Sequence, residues 1–224
     1  MQDKALPEND LSNLRRNYER DSLSSSTLNV DPFEQFQIWF DQAVVSDLVE
    51  PNAMVLATSA SNTPTIRTVL LKSFDNRGFV FYTNYKSRKA SQISAQPFVS
   101  LLFPWHSLER QVIILGKADP LDRNESSAYF KSRPYESKIA AWASSDQSKV
   151  IRSREYLENT WGSYEQRFKG KEVPIPDYWG GFRVAPNEFE FWQGREKRLH
   201  DRFRYQLISQ NSENPTWQKE RLSP

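Results

Sequence analysis

Apolar residues come in short blocks separated by turn-forming sequences over much of this chain. Such blocks, bounded by Asn, Asp, Gly and Pro, are typical of β-strands. The first half of the sequence predicts five strands, the second and third forming a hairpin: 54–58, 66–74, 79–83, 98–105 and 111–118.

A later β section begins near Trp179. Because side chains alternate along a strand, Phe189 and Phe191 are predicted to share one face, and Glu190 and Trp192 the other. Residues 193–197 are predicted to turn the chain into a partner strand.

Helical spacing of apolar residues begins at Asp31 and Pro32. Asp is a good N-cap and Pro is tolerated in the first turn, so a helix is predicted from here towards Pro51. Further helices are predicted from Ser87, and from Asp122 to about Phe168 with a break at Pro134.

Most predicted strands are joined by segments too short for helical crossovers. The predicted fold class is therefore mainly β with flanking helices, an α+β arrangement on an antiparallel sheet or barrel. Residues 31–224 are expected to form one domain, because 14 Phe, 9 Tyr and 7 Trp supply a large core. The polar and charged residues 1–30 predict a mobile N-terminal arm.

The amino-acid composition excludes several kinds of functional site. The chain has no cysteine, so disulfides, thiolate catalysis and iron–sulfur clusters are excluded and redox chemistry would need a cofactor. Its 2 histidines have no metal-ligand spacing, so no metal site is expected. A net charge of +2 is too balanced for a general nucleic-acid binder, and 7 glycines without a G-x-G-x-x-G or Walker A sequence disfavour dinucleotide and P-loop folds. No stretch resembles a signal peptide or a membrane span, so a cytoplasmic location without a membrane partner is expected.

Two segments carry cations in positions suited to an anion. Ser87 is the predicted N-cap of a helix whose first turn holds Arg88 and Lys89, and free N–H groups and the helix dipole attract phosphate there. Arg67 and Lys72 bracket an apolar run, but on a regular strand they would point to opposite faces. A solvated helix and ordinary salt bridges at strand ends are the alternatives.

A third segment combines a phenol, a guanidinium and a hydroxyl. Tyr129 and Arg133 are four residues apart and can share a helical face, and Ser137 follows the break at Pro134. These groups suit a phosphate monoester, although an Arg at a helix end explains the same residues.

The stretch 190–202 is where we expect the chemistry. If a strand resumes at Arg198, then Arg198, His200 and Arg202 lie on one face. Three potentially cationic groups repel one another unless an anion or an electron-rich ring lies across them, and Trp192 could pack beside such a ring. A ladder of cross-strand ion pairs is the alternative.

Together these motifs resemble the pyridoxamine 5′-phosphate oxidase family, from about residue 14 to residue 224. The resemblance is carried by residues 67–72, 81–84, 87–89, 110–112, 129–134, 179–181 and 190–202. It implies an antiparallel FMN-binding split β-barrel and a homodimer with FMN in a cleft between the subunits.

The resemblance also implies the site residues. FMN contacts from one subunit would be Arg67, Val69, Leu70, Lys72, Tyr82, Thr83, Ser87, Arg88, Lys89 and Gln111, and those from the other Gln147, Ser148, Trp192 and Arg202. Substrate contacts would be Arg15, Tyr18, Lys72, Tyr129, Arg133, Ser137, Arg198 and His200. The N-terminal arm would then act as an active-site lid.

The implied reaction moves a hydride from C4′ of pyridoxamine or pyridoxine 5′-phosphate to N5 of FMN, and dioxygen reoxidises the flavin to give hydrogen peroxide. The product is pyridoxal 5′-phosphate, which forms from the amine substrate by hydrolysis with release of ammonia. The implied enzyme is therefore a pyridoxal 5′-phosphate synthase of vitamin B6 synthesis and salvage. Arg198 and His200 are the expected catalytic residues, Arg198 holding and polarising the substrate and His200 orienting it or handling a proton. Another split-barrel flavin reductase, a non-catalytic carrier of FMN or pyridoxal phosphate, and a nucleic-acid-binding barrel are the alternatives.

Overall fold

A computed structural model describes residues 16–209 and 215–224. In this part of the chain the strands are β1 (Ala53–Ala60), β2 (Thr63–Leu70), β3 (Ser73–Asp75), β4 (Gly78–Asn84), β5 (Phe98–Trp105), β6 (Arg110–Pro120), β7 (Trp179–Gln193), β8 (Asp201–Ser209) and β9 (Thr216–Leu222). The α-helices are α1 (Pro32–Val44), α2 (Arg88–Ala95), α3 (Arg123–Ser132), α4 (Tyr135–Ala143) and α5 (Arg154–Phe168), and short 3₁₀ turns lie at His106–Leu108 and Glu196–Arg198.

The strands form one antiparallel sheet in the order β2-β1-β5-β6-β7-β4-β3, and β8 pairs with both β7 and β9. The long strand β7 organises the sheet because β6 follows it along its length while two other strands share its opposite edge. β4 pairs with the first part of β7, and β8 pairs with the last part. The sheet does not close on this path, which is the arrangement of a split barrel and confirms the predicted fold class.

Helix α1 covers the main core. Asp31 caps it, accepting a hydrogen bond from the Phe33 N–H at 2.7 Å. Phe36 is fully buried, with its ring centroid 4.9 Å from those of Phe74 and Phe79. Burial of each such ring contributes about 1.5–3 kcal/mol. The helix ends at Val44, earlier than the predicted end near Pro51, and turns connect it to β1.

A second core lies under α3, α4 and α5. Phe130, Ile139 and Phe168 meet Trp179 at the start of β7. The predicted break at Pro134 is confirmed, since Pro134 separates α3 from α4. Residues 144–153 form a second break that the sequence did not predict.

The segment 16–30 contacts the rest of the domain. Leu23 and Leu28 are buried in the main core, and the Tyr205 hydroxyl donates to the Asn29 carbonyl at 2.6 Å. Movement of this segment as a lid stays a prediction. Over the described part of the chain, no helix is both long enough and apolar enough to span a membrane.

The single strand predicted at 66–74 is wrong, because β2 ends at Leu70 and β3 starts at Ser73. Between them the Leu71 N–H donates to the Asn52 carbonyl and the Lys72 N–H to the Val80 carbonyl, both at 2.9 Å. These two bonds take the chain away from β2. Arg67 and Lys72 therefore do not lie on one regular strand, and the argument from opposite faces does not apply. The hairpin between β3 and β4 is confirmed.

Candidate functional site

Arg67, Arg88 and Lys89, here called the cation cluster, meet beside the start of α2. Arg67 is held in place by donating to the Leu56 carbonyl at 3.0 Å and to the Thr58 hydroxyl at 2.7 Å. Burial lowers the pKa of Arg67, and the nearby charge of Arg88 lowers it further. Burial also lowers the pKa of Lys89, with Arg67 adding to the effect.

Within residues 16–209 and 215–224, no carboxylate forms an ion pair with any member of the cation cluster. Partly buried cations gathered without a counter-ion are costly unless an anion joins them. The arrangement therefore suits a phosphate group.

Helix α2 supplies the second part of this anion site. Its N-cap is Ser87, as predicted, and the fully buried hydroxyl accepts from the Ala90 N–H. The Arg88 N–H donates to the Ser148 hydroxyl at 3.2 Å, and the Lys89 ammonium donates to the Thr83 hydroxyl at 3.2 Å. Ser148, expected from the other subunit, thus lies at the cation cluster of its own chain.

Arg133 lies against an aromatic stack on the other side of β4. The Tyr82 ring stacks on Tyr129 at 4.0 Å and on Trp179 at 5.3 Å, measured between centroids. The Arg133 guanidinium is 4.8 Å from the Trp179 centroid. Its Nη1 atom is buried and has no hydrogen-bond partner among the described residues. An unmatched buried donor costs about 1–3 kcal/mol, so this nitrogen is suited to an incoming acceptor.

Titration of the stack follows from its burial. Burial raises the pKa of Tyr82 to about 12, and the Glu125 carboxylate contributes to the increase. Burial also raises the pKa of Tyr129, although Arg133 opposes that effect. Both phenols are therefore protonated near neutral pH and can donate hydrogen bonds. Burial lowers the pKa of Arg133.

Tyr18, Trp192 and His200 form a third group, at the far end of β7. The Trp192 and His200 ring centroids are 4.7 Å apart, and Tyr18 meets them edge-on at 5.8 and 5.7 Å respectively. His200 Nδ1 accepts from the Arg195 N–H at 3.1 Å. Burial lowers the pKa of His200, and Arg198 lowers it further. His200 is thus neutral near pH 7, with its proton on Nε2.

The prediction that a strand resumes at Arg198 is wrong. Lys197 and Arg198 have left-handed φ values of 53° and 62°, and strand β8 begins at Asp201. The hydrogen bond from the Arg195 N–H to His200 closes this loop. Arg198 is exposed at its tip, so Arg198, His200 and Arg202 do not share a strand face.

Arg202 and Asp201 follow the ion-pair alternative. Asp201 pairs with Arg221 at 2.7 Å and with Arg195 at 3.6 Å. The Arg202 guanidinium binds both carboxylate oxygens of Glu190, at 2.8 and 3.1 Å, and donates to the Ser223 carbonyl at 2.8 Å. The hydrogen bond that Arg202 donates to the Glu190 carboxylate raises the pKa of Arg202. Arg202 pairs in register with Trp192, and Trp192 pairs with Gln111 on its other side. As predicted, Phe189 and Phe191 face the core.

The remaining predicted site residues are placed as follows. Val69 and Leu70 are half-buried near the end of β2, and Lys72 is exposed just beyond it. Ser137 is half-buried in the first turn of α4, and the Gln147 Oε1 atom is buried without a hydrogen-bond partner among the described residues. Arg15 lies outside the described residues.

The candidate residues fall into two sets along β7. Tyr82 pairs with Gly181 near its start, while Gln111 pairs with Trp192 near its end. These β7 positions are 11 residues apart, roughly 35 Å of extended chain. The first set comprises the cation cluster and the Arg133 stack, and the second comprises Tyr18, Gln111, Trp192, Arg198, His200 and Arg202.

The sequence did not point to Glu109, which is only 4% exposed. Its carboxylate accepts hydrogen bonds from the backbone N–H groups of residues 19 and 20, next to Tyr18. Nor did the sequence point to Gly194, where a Cβ atom would lie 2.7 Å from the Tyr18 ring. The one available signal was the position of Glu109, two residues before a predicted strand.

Comparisons with known proteins agree over nearly the whole chain. A sequence model described as pyridoxamine 5′-phosphate oxidase matches residues 40–167, and one described as the pyridoxine 5′-phosphate oxidase C-terminal dimerisation region matches residues 179–224. A pyridoxine/pyridoxamine 5′-phosphate oxidase of Prochlorococcus marinus is 56% identical, covering 97% of this chain and 98% of the relative. One of Rippkaea orientalis is 53% identical, covering 96% and 100%.

Solved structures share the fold. The crystal structure of PhzG from Burkholderia lata, in complex with tetrahydrophenazine-1-carboxylic acid, has a TM-score of 0.82 at 29% identity, covering 91% of this chain and 98% of that one. Both family models and both relatives point to the same family. The chain belongs to the pyridoxamine 5′-phosphate oxidase family.

Proposed function

We propose that the chain is an FMN-dependent oxidase that converts pyridoxamine and pyridoxine 5′-phosphates to pyridoxal 5′-phosphate. The observation that carries the proposal is Arg133, whose buried Nη1 has no partner among the described residues while its guanidinium lies on Trp179. In a chain of this family, such a group supports recognition of a phosphorylated substrate. An ordinary helix-end Arg would direct its charge to solvent or to a carboxylate.

The cation cluster suits the FMN phosphate. Arg88 and Lys89 supply charge at the N-terminus of α2, where free N–H groups already favour an anion. Arg67 is fixed by hydrogen bonds to neutral oxygens, so its charge is uncompensated in the described part of the chain. The buried Gln147 Oε1 is a further unmatched acceptor, suited to an N–H group of the cofactor. These residues fit FMN.

The substrate phosphate is assigned to Arg133, with Tyr129, Ser137 and Lys72 around it. Tyr129 keeps its proton, because burial raises its pKa, and can donate to a phosphate oxygen. Arg133 contributes a charge-assisted hydrogen bond worth about 1.5–3 kcal/mol. This anchor fixes one end of the substrate and so orients the carbon that reacts.

Arg198 and His200 are assigned to the reacting end of the substrate. FMN, when bound, would supply the electron sink for a hydride from C4′ of the substrate and would pass the electrons to dioxygen, giving hydrogen peroxide. The alcohol substrate would give the aldehyde directly, and the imine formed from the amine substrate would be hydrolysed to the aldehyde and ammonia. His200 is neutral with its proton on Nε2, so it orients the substrate by donating a hydrogen bond. Arg198 holds and polarises the substrate, and Tyr18 with Trp192 keeps water from that end.

The site is shared between two copies of the chain. Within one chain most of β7 lies between the two sets of residues, so we assign them to two different sites. The match of residues 179–224 to a dimerisation region supports a homodimer in which the second set of one subunit meets the first set of the other. Gln111, which pairs with Trp192, then belongs to the second set, and Ser148 to the first.

The oxidase assignment is tested with the purified chain. It should carry, or take up, a flavin with visible absorption, and under air it should convert pyridoxine 5′-phosphate to an aldehyde with formation of peroxide. A protein that binds FMN and reduces it only with a nicotinamide would instead be a flavin reductase. A protein that cannot be loaded with FMN refutes the proposal.

Sharing of the site is tested by mixing two variants, Arg133→Met and Arg198→Ala, under conditions that allow subunit exchange. Activity is measured at a pyridoxine 5′-phosphate concentration far below the wild-type KM, where each variant alone is nearly inactive. Half of the resulting dimers are hybrids, and each hybrid has one intact site if the two residues come from different subunits. Activity should then return to about a quarter of the wild-type value. If both residues serve a site within the same chain, mixing restores nothing.

A further inference from the structure

Glu109 connects the N-terminal segment to the β7–β8 loop. Its carboxylate Oε2 accepts from the backbone N–H groups of Glu19 at 2.9 Å and Arg20 at 3.0 Å. Its Oε1 lies 3.4 Å from the Arg16 guanidinium. Its own carbonyl accepts from the Gly194 N–H at 2.7 Å. Glu109 therefore holds both walls of the cleft that contains Tyr18: the N-terminal segment is one wall and the β7–β8 loop is the other.

Tyr18 fits closely between these two walls. On one side, Glu109 binds the amides that directly follow Tyr18 in the chain. On the other, the Tyr18 ring packs over Gly194, where a Cβ atom would lie only 2.7 Å from its Cγ. The ring then meets Trp192 and His200 edge-on. Its position depends on both contacts.

The backbone of Glu109 adds a second reason to assign it a role. Its φ is 56°, a left-handed value that a non-glycine residue adopts at a cost of roughly 1 kcal/mol. Gly or Asn would suit this turn better. A strained position occupied by a buried carboxylate indicates that the side chain itself is required there.

We propose that Glu109 is a positioning residue for the substrate end of the site: by binding the amides of Glu19 and Arg20 it fixes Tyr18 against Trp192 and His200. The role rests on the proposed function, in which this group of side chains encloses the reacting end of the substrate. Glu109 touches neither substrate nor cofactor and acts through Tyr18.

The test compares Glu109→Gly with Glu109→Gln in the FMN-loaded enzyme. Glycine removes the carboxylate and accepts the left-handed backbone, so the turn itself is preserved. Glutamine keeps an oxygen that can accept from both amides. We expect Glu109→Gly to raise KM for pyridoxine 5′-phosphate about tenfold with kcat and FMN content within about twofold of wild type, and Glu109→Gln to restore most of the loss.

A double-mutant cycle with Tyr18→Ala separates positioning from a general structural role. If Glu109 acts through Tyr18, Glu109→Gly adds nothing to KM in the Tyr18→Ala background. Gly194→Ala, which displaces the ring from the opposite wall, should raise KM in the same way with Glu109 intact. Multiplying effects in the double variant, or an unchanged KM in Glu109→Gly, overturn the proposal.

Hydrogen exchange supplies a measurement that does not need activity. The Glu19 and Arg20 amides should be protected in the wild type and exchange at least about tenfold faster in Glu109→Gly. If that variant does not fold, Glu109→Asp, whose shorter side chain withdraws the carboxylate, carries the same test. Equal exchange in wild type and variant overturns the proposal. Absence of oxidase activity in the wild type would instead refute the proposed function.

Discussion

Replacing Arg133 by methionine should weaken substrate binding while leaving the fold intact. Methionine fills much of the same space and keeps apolar contact with Trp179, but it removes the charge and the donors. In the structure those donors include Nη1, which is buried and has no partner among the described residues. The substitution therefore removes a group that the described chain leaves unpaired.

The size of the effect follows from the interactions of Arg133. A charge-assisted hydrogen bond to phosphate is worth about 1.5–3 kcal/mol, so KM should rise roughly 10- to 150-fold. In the proposed function the substrate phosphate contacts Arg133 in the ground state and the transition state alike, so kcat should change little. Loss of the guanidinium over Trp179 lowers the free energy of unfolding by about 0.5–2 kcal/mol, and removal of an unmatched buried donor raises it by about as much. The free energy of unfolding should stay within about 1 kcal/mol of wild type.

The assay is steady-state oxidation of pyridoxine 5′-phosphate followed by peroxide formation, together with urea unfolding of the same preparations. Arg167→Met is the matched control, because Arg167 also lies over aromatic rings, 5.4 Å from the Phe168 centroid and 5.8 Å from that of Trp142, but is not one of the predicted site residues. It should leave KM unchanged. A strongly destabilised Arg133→Met with normal KM would show that Arg133 is structural and refute the phosphate assignment.

Three further predictions concern the other charged groups. Lys89→Ala should raise the Kd for FMN roughly 10- to 150-fold in a fluorescence titration. The control Lys86→Ala removes an exposed ammonium that lies over the Tyr178 ring and should leave the Kd unchanged. Equal affinities of the two variants for FMN would contradict the assignment of the cation cluster as a phosphate site. Arg198→Ala should lower kcat about 100-fold with FMN content unchanged, and an effect confined to KM would contradict its role. The pKa of His200 is lowered, so its contribution to stability is present above pH 6.5 and is lost as the pH falls further. An NMR titration midpoint of His200 below 6.5 is expected, with an upward shift in Arg198→Ala, and a midpoint at or above 6.5 in both proteins would contradict this account.

The strands and caps were predictable because their causes are local. Alternation put Phe189 and Phe191 on one face, and both are fully buried. Ser87 was predicted as an N-cap from its position before a helical pattern, and its hydroxyl accepts from the Ala90 N–H. Such features depend only on residues that are close together along the chain, so they can be predicted from a single sequence.

The errors arose where distant residues decide the local conformation. Lys72 leaves the predicted strand because its N–H binds Val80, which follows the next turn. Glu109 binds amides that are 90 and 89 residues away, and nothing near it in the sequence indicates those partners. Arg198 adopts a left-handed φ value without the glycine that usually signals one, so periodicity alone placed it on a strand.

The conformation of the β7–β8 loop also changes the role that each cation is assigned. On one strand face, Arg198, His200 and Arg202 would have formed a single repelling row that needed one ligand. In the structure Arg202 is compensated by Glu190, and a lowered pKa keeps His200 neutral, so that neither adds a free charge to the loop. Arg198 remains as an exposed cation at the tip of the loop. Arg133, in contrast, is held against Trp179 before any ligand binds. In the proposed function the partly buried Arg133 binds the phosphate, which does not change during the reaction. The exposed Arg198 binds the end of the substrate whose charge changes, which is why the two arginines should separate into KM and kcat effects.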